Sequence, residues 1–147
     1  PLAGLVATAL AEAAVDTARR NAARLGLGER VEVRPGHWYE PVAGQRFDLI
    51  VGNPPYIAAG DSRVEPGVRR YEPPQALFAG VDGLDALREV VGGAPRHLVP
   101  GGWLAVEHGD TQAADVRALF EAAGFEAVRT HADPAGRDRC TEGRRPV

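Results

Sequence analysis

The chain alternates short apolar runs with longer amphipathic stretches. The short runs predict strands, because they are bounded by turn-forming or charged residues and have the length or alternation of strands; they are residues 2–9, 31–33, 47–51, 103–107 and 125–130. The first run is rich in alanine, so a helical start there is an open alternative. The longer stretches predict helices, because their apolar side chains recur at helical spacing; they are residues 12–25, 82–98 and 111–123.

The order of these elements predicts the architecture. Strands and helices alternate through most of the chain, which is typical of an α/β domain with a mostly parallel sheet. The last residues could form a partner strand for residues 125–130, and the short turn between them makes an antiparallel hairpin the expectation. We also expect buried strands at 47–51 and 103–107, a tight turn at Pro100-Gly101-Gly102, and a weaker second half of the helix at 82–98, where two glycines follow each other.

Four residues, Asn53-Pro54-Pro55-Tyr56, come directly after the apolar run that ends at Gly52. Two prolines cannot continue a central strand, so the chain must change direction there. An amide side chain, two residues without N–H groups and an aromatic ring therefore lie at the carboxyl end of a strand. Ligands bind at that end in open α/β sheets. The motif predicts a ligand site, and a polar turn that only caps the strand is the alternative.

A long irregular segment, residues 57–77, follows the motif. Long loops in compact domains are usually functional or disordered, and the position beside the motif favours a substrate-binding loop. Within it, Arg69-Arg70 is either a solvated charge pair or a contact to a substrate or to nucleic acid. Glu72 either positions the substrate or pairs with an arginine.

Composition excludes several classes of function. The 147 residues suffice for one domain, residues 1–147, and the net charge of -3 gives no basic field for nucleic acid. The single Cys140 excludes an internal disulfide framework and fits a cytoplasmic location. The four histidines lack metal-ligand spacing. We expect no metal and no membrane span, because no apolar run approaches the necessary length. His108 beside Glu107 could suggest an acid/base pair, but such a histidine is more often structural.

The strand followed by Asn-Pro-Pro-Tyr resembles amino-methyltransferases that use S-adenosylmethionine, which include DNA adenine-N6 and protein-glutamine N5 methyltransferases. Segments further along the chain separate these two groups. They occur in the order seen in the release factor glutamine methyltransferase family (the HemK/PrmC type) and comprise Tyr71-Glu72-Pro73, Ala76-Leu77, Gly80, Asp82-Gly83-Leu84, Pro100-Gly101-Gly102, Glu107-His108-Gly109, Gln112, and residues 133–139 with Gly143. The resemblance covers nearly the whole chain. It implies a Rossmann-like class I methyltransferase fold, truncated at its N-terminus.

The chain departs from the family where the family binds its cofactor. The family's N-terminal helical domain and its glycine-rich cofactor loop have no counterpart, and the match begins at the family's second strand, residues 5–9. The acidic residue expected on the ribose is Ala9, and the one expected before Trp38, near the adenine, is His37. The resemblance assigns Ala9, His37, Trp38 and Asn53 to cofactor binding. We expect weak binding of the cofactor, and strands at 5–9 and 47–51 that either pair directly or leave unpaired edges.

The family reaction implies a role for each residue of the motif. A glutamine side-chain nitrogen attacks the methyl group of S-adenosylmethionine, and an amide nitrogen is a poor nucleophile that must be held in place. The Asn53 oxygen and the Pro54 carbonyl would each accept one N–H of that amide. Pro55 would fix the direction of the carbonyl, and Tyr56 would offer a flat face for stacking. Ile57 would add an apolar wall, and Glu72 a further substrate contact.

The resemblance therefore implies a protein-(glutamine-N5) methyltransferase that uses S-adenosylmethionine. Its substrate would be the glutamine of the Gly-Gly-Gln tripeptide in a peptide chain release factor, with ribosomal RNA as an open additional contact. One alternative is a catalytically inactive, truncated remnant that binds a protein partner, which the missing loop and Ala9 favour. A DNA adenine-N6 methyltransferase is a further alternative, against which the acidic charge balance and the segments at Glu72-Pro73 and 82–84 argue.

Overall fold

The computed structural model describes residues 3–61 and 77–147. It divides the chain into two compact units, Pro1–Gln45 and Arg46–Val147. The predicted substrate residue Glu72, the pair Arg69-Arg70 and most of the predicted substrate loop lie outside the described residues. Within the described ranges, no helix has both the length and the apolar character needed to cross a membrane.

The first unit is a strand–helix–strand arrangement followed by one short 3-10 helix. Its elements are β1 (Leu5–Ala9), α1 (Glu12–Arg24), β2 (Val31–Pro35) and the 3-10 helix Glu40–Val42. β1 and β2 pair in parallel along their whole length, so the predicted strand at the start of the chain is confirmed. Val15 and Ala22 are the buried residues of α1. Leu25 is 71% exposed, because the helix ends one residue before it.

Among its described residues, the second unit contains a four-stranded mixed sheet and two helices. Its elements are β3 (Phe47–Gly52), α2 (Asp85–His97), β4 (Leu98–Glu107), α3 (Ala113–Ala122), β5 (Glu126–Ala132) and β6 (Asp138–Arg144). The strand order is β3-β4-β6-β5. β3 and β4 are parallel, and β6 is antiparallel to both β4 and β5. The predicted α/β class and the antiparallel hairpin at the end of the chain are confirmed.

The core of the second unit forms where α2 and α3 cover the sheet. Its largest fully buried side chains include Phe120, Leu87, Leu98 and Leu104. Phe120 lies on the glycine of β6, Gly143, where an added Cβ would be 2.6 Å from the ring atom Cδ1. The ring of Phe125 packs beside it with centroids 5.1 Å apart. The glycine therefore provides the space that the largest core side chain occupies.

Several expected boundaries shift. The expected tight turn at Pro100-Gly101-Gly102 lies inside β4, where the register with β3 jumps between Phe47 and Leu49. The strand continues through these residues because the Gly101 N–H donates to the Arg145 carbonyl and the Gly102 carbonyl accepts from the Arg145 N–H. α2 begins at Asp85, later than expected, and runs without interruption through Gly92-Gly93.

β3 is not the buried strand that its apolar sequence predicts. Leu49 is 57% exposed and Val51 is 72% exposed. The strand lies at the end of its sheet and pairs only with β4, so one of its edges has no strand partner among the described residues. The direct pairing of residues 5–9 with 47–51 is also wrong, because β1 and β3 belong to different sheets. The alternative expectation, unpaired strand edges, is the arrangement found.

Two glycine-to-alanine changes in the second unit should have opposite effects on stability. Gly143→Ala should destabilise the fold by about 1–3 kcal/mol, because the new methyl group overpacks against Phe120. Gly92→Ala should stabilise it by about 0.5–1 kcal/mol, because Gly92 is exposed within α2 and its added Cβ meets nothing within 4 Å. Urea denaturation measures both. Equal effects of the two changes would contradict this account of Gly143.

Candidate active site

The motif Asn53-Pro54-Pro55-Tyr56 leaves β3 at its carboxyl end, beside the end of β4. Gly52 pairs with Val106, so the chain turns away one residue after the last strand pair. Pro54 is buried, Pro55 and Tyr56 are half-buried, and Asn53 is exposed. The buried ring anchors the turn while the amide of Asn53 and the ring of Tyr56 remain within reach of a ligand.

The main chain after the motif is fixed by backbone hydrogen bonds. Ile57 forms a parallel bridge with Phe78. The Ile57 N–H donates to the Leu77 carbonyl at 3.0 Å, and the Ile57 carbonyl accepts from Ala79 at 2.9 Å. A further bond joins the Ala59 N–H to the Gly80 carbonyl at 2.8 Å. These bonds form a short ladder that holds Tyr56 from its C-terminal side.

Gln112, the residue directly before α3, is only 9% exposed and supports the motif. Its Nε2 donates to the backbone carbonyl of Tyr56 at 2.9 Å, and its Oε1 accepts from the Gly109 N–H at 2.8 Å. Gly83 packs closely against this contact, since an added Cβ there would be 2.5 Å from the Tyr56 carbonyl oxygen and 2.9 Å from Nε2 of Gln112. Gly83 also has φ +75°, which side chains rarely adopt. A single amide side chain thus connects the motif, the start of α3 and the loop before α2.

The hydroxyl of Tyr56 donates a hydrogen bond to Oε1 of Glu107, the last residue of β4, at 2.7 Å. Burial, then the hydrogen bond and charge of Glu107, raise the pKa of the Tyr56 phenol above its ordinary value. Arg139 interacts with the same hydroxyl and opposes the shift. The ring is therefore held at its outer end by a carboxylate, with a cation close by.

His108 is fully buried and belongs to a chain of hydrogen bonds. Arg117 donates to Thr130 at 3.0 Å, the hydroxyls of Thr130 and Thr141 are 2.9 Å apart, and Thr141 is 2.9 Å from Nε2 of His108. Nδ1 lies 2.9 Å from the Gly109 carbonyl. A carbonyl can only accept, so Nδ1 donates to Gly109. Both ring nitrogens have partners within the protein, an arrangement that fits the structural interpretation of His108.

The predicted cofactor residues Ala9, His37 and Trp38 meet in the first unit, at the carboxyl ends of β1 and β2. The Ala9 carbonyl accepts from the Gly36 N–H at 3.0 Å, and the Thr8 hydroxyl donates to the Trp38 carbonyl at 3.1 Å. The rings of His37 and Trp38 are tilted against each other with centroids 5.4 Å apart. Trp38 has φ 41°, a left-handed conformation that is uncommon for an aromatic residue and occurs preferentially at functional sites.

The structure thus assembles two groups of predicted site residues, each within its own unit. The motif with Ile57 lies in the second unit, and Ala9, His37 and Trp38 lie in the first. Sequence reasoning did not identify Glu107 and Gln112 as partners of Tyr56, although both belong to family segments. In the described part of the chain, no three His, Cys, Asp or Glu side chains are grouped to hold a metal.

Solved structures share this fold. A methyltransferase from Pyrococcus furiosus matches with a TM-score of 0.71 at 20% identity and covers 98% of this chain and 64% of that chain. A ribosomal protein L11 methylase from Lactobacillus delbrueckii subsp. bulgaricus matches with a TM-score of 0.68 at 17% identity and covers 98% of this chain and 58% of that chain. The chain has the Rossmann-like fold of the class I methyltransferases, as its motifs implied.

Curated relatives narrow this class. A release factor glutamine methyltransferase from Xylella fastidiosa (strain Temecula1) is 54% identical over 146 residues, which are 99% of this chain and 53% of the relative. One from Pseudomonas aeruginosa is 50% identical over 143 residues, 97% of this chain and 51% of the relative. No protein-family model matches. The chain spans about half the length of these relatives and is a homologue of the release factor glutamine methyltransferases along nearly all of its own length, which confirms the resemblance.

Removing the Gln112 side chain should destabilise the second unit. Gln112→Ala leaves the Gly109 N–H and the Tyr56 carbonyl without their partner, at a cost of about 1–3 kcal/mol for each group that water does not reach. Gln112→Glu should also destabilise, because it keeps the size but places a carboxylate oxygen against that carbonyl. Urea denaturation measures the stability of both Gln112 variants, with Glu121→Ala, which changes an exposed residue of α3, as the control. Variants as stable as Glu121→Ala would contradict the connecting role of Gln112.

Proposed function

We propose that this chain carries the methyl-acceptor site of a protein-glutamine N5-methyltransferase. The observation that carries the proposal is the motif at the end of β3, which is complete and fixed on its backbone by Gln112 and on its ring by Glu107. Asn53 is exposed and able to accept an amide N–H. The flat face of Tyr56 suits a planar amide. Positioning of this kind is the main help that a weak amide nucleophile needs.

The proposed methyl donor is S-adenosylmethionine. When bound, it supplies an electrophilic methyl group on a sulfonium. The residues at the carboxyl ends of β1 and β2 fit it in part, because Trp38 and His37 offer aromatic surface for an adenine ring. Ala9 offers no carboxylate to a ribose diol. We propose Ala9, His37 and Trp38 as the positions that contact the donor, with affinity reduced by the missing carboxylate.

The proposed acceptor is the glutamine of the Gly-Gly-Gln tripeptide in a peptide chain release factor. The support is the similarity to curated release factor glutamine methyltransferases at 54% and 53% identity over 99% of this chain. We propose Asn53, Pro54, Tyr56, Ile57 and Glu72 as its contacts, and Arg69-Arg70 as a contact to the release factor or to nearby ribosomal RNA. The whole reaction and the translation-termination role follow from this proposal.

An inactive module that binds a protein partner is the second candidate, and Ala9 is the observation that favours it. A carboxylate on a ribose diol contributes about 1.5–3 kcal/mol, so its absence weakens binding by about one to two decades. The methyltransferase should bind the donor and the inactive module should not, and donor binding can be measured without any acceptor.

Ala9→Asp should tighten binding of S-adenosylmethionine by roughly tenfold to hundredfold. Calorimetric titration of the chain and of the variant measures this difference. Leu10→Asp is the matched control, since Leu10 is the next residue and is 66% exposed. A gain shared by both variants would reflect charge alone. No heat at millimolar donor for either Ala9→Asp or the unaltered chain would contradict the donor site and favour the inactive module.

Asn53→Ala should abolish methyl transfer while leaving donor affinity nearly unchanged. The test uses a chimera in which this chain replaces the matched 146 residues of the Xylella fastidiosa (strain Temecula1) relative, with labelled donor and a release factor. Asn21→Ala, an exposed change in α1, is the control. Replacing the glutamine of the release factor by alanine should remove the label. Equal labelling of both release factors would refute the glutamine assignment, and a large loss of donor affinity would show that Asn53 acts on the donor instead.

A further inference from the structure

We propose that Glu107 is a positioning residue, which fixes the ring plane of Tyr56 and thereby the surface on which the acceptor amide stacks. The inference rests on the proposed function, because it concerns the same acceptor site. It assigns a role to a side chain that does not touch the acceptor in that proposal but acts through Tyr56.

The backbone of Tyr56 has little freedom, whereas its ring has more. Gln112 holds the Tyr56 carbonyl at 2.9 Å, and the Ile57 ladder fixes the following residue. The ring itself is half-buried, so packing encloses only part of it. Rotation about the side-chain bonds would turn the stacking face away from the acceptor. The contact that opposes this rotation is the 2.7 Å hydrogen bond from the hydroxyl to Glu107.

The sheet register places Glu107 where this contact is possible. β3 and β4 run in parallel, and Gly52 pairs with Val106. Glu107 is therefore the next residue at the same edge of the sheet from which the motif departs. Its backbone is held in the sheet by pairing with Cys140 of β6. A carboxylate on a paired strand is a rigid point of attachment, in contrast to one on a loop.

The charges around the hydroxyl favour a fixed ring. A hydrogen bond to an ionised acceptor is shorter and stronger than one between neutral groups. Arg139 lies against the same hydroxyl, and its guanidinium also donates to the His108 carbonyl at 3.3 Å and contacts Asp133 at 3.5 Å. The hydroxyl thus has Glu107 as its acceptor and also interacts with the cation of Arg139. Such a pair of partners defines its position more narrowly than one contact would.

The first test is kinetic and uses the same chimera with a release factor as the acceptor. Glu107→Gln should lower kcat/KM for the acceptor roughly tenfold or more, the effect expected for loss of a charge-assisted hydrogen bond, with KM for S-adenosylmethionine unchanged. Tyr56→Phe should lower it similarly, and the double variant should be no worse than either single one, because both changes break the same contact. Glu121→Gln, an exposed change of the same kind, is the control. Acceptor kinetics of Glu107→Gln equal to those of this control would overturn the proposal.

The second test does not depend on activity. Tyrosine labelled with carbon-13 at the hydroxyl-bearing ring carbon gives one resonance for each of the three tyrosines, and Tyr56→Phe identifies that of Tyr56. Glu107→Gln should move this resonance and lower the pH at which the phenol titrates, because the Glu107 carboxylate raises its pKa. An unmoved resonance would overturn the proposal whatever the kinetics show. If the unaltered chimera transfers no methyl group, the proposed function fails, and this resonance alone decides whether Glu107 holds the ring.

Discussion

The parallel pairing of β3 with β4 is the constraint on which the candidate site depends. It brings the carboxyl ends of two strands that lie far apart in the sequence to one edge of the sheet. The motif follows the end of β3, whereas Glu107, His108 and Gly109 lie at the end of β4. The antiparallel hairpin of β5 and β6 then covers the far side of β4 and brings Arg139 towards the same edge. The hydrogen bond between Tyr56 and Glu107 follows directly from this pairing.

Family segments that sequence reasoning used only as markers acquire physical roles in this arrangement. Gly83 has no side chain and so lets the loop before α2 lie close to the Tyr56 carbonyl. Asp82 accepts from the Leu84 N–H at 3.0 Å and pairs with Arg88 at 2.6 Å, and these contacts order the start of α2. Gln112 joins that loop to the motif. His108 holds the end of β4 through a buried chain of hydroxyls. These residues serve the motif by fixing the backbone around it.

The motif itself could be predicted from the sequence, because two prolines after an apolar run define a strand end without any long-range information. The partners of Tyr56 could not, because Glu107 and Gln112 lie 51 and 56 residues further along the chain and meet it only through strand register. The prediction that β3 is buried was wrong for a similar reason. Leu49 and Val51 read as buried, but periodicity does not reveal which side of a strand is covered. The turn at Pro100-Gly101-Gly102 was predicted by its residues, whereas its absorption into β4 depends on Arg145, which donates and accepts across it.

The bridge between Ile57 and Phe78 has a consequence for how this protein can change over evolutionary time. It joins the two ends of the intervening segment directly beside the motif. The entropy of closing a loop rises only slowly with its length, so insertions or replacements between these ends alter the closure little. The bonds from Ile57 and Ala59 to Leu77, Ala79 and Gly80 join the two ends themselves, so they do not depend on the sequence between them. A change in the length of the chain between Ile57 and Phe78 can therefore leave the backbone around Tyr56 in place, so the motif and the sequence that follows it are free to evolve separately.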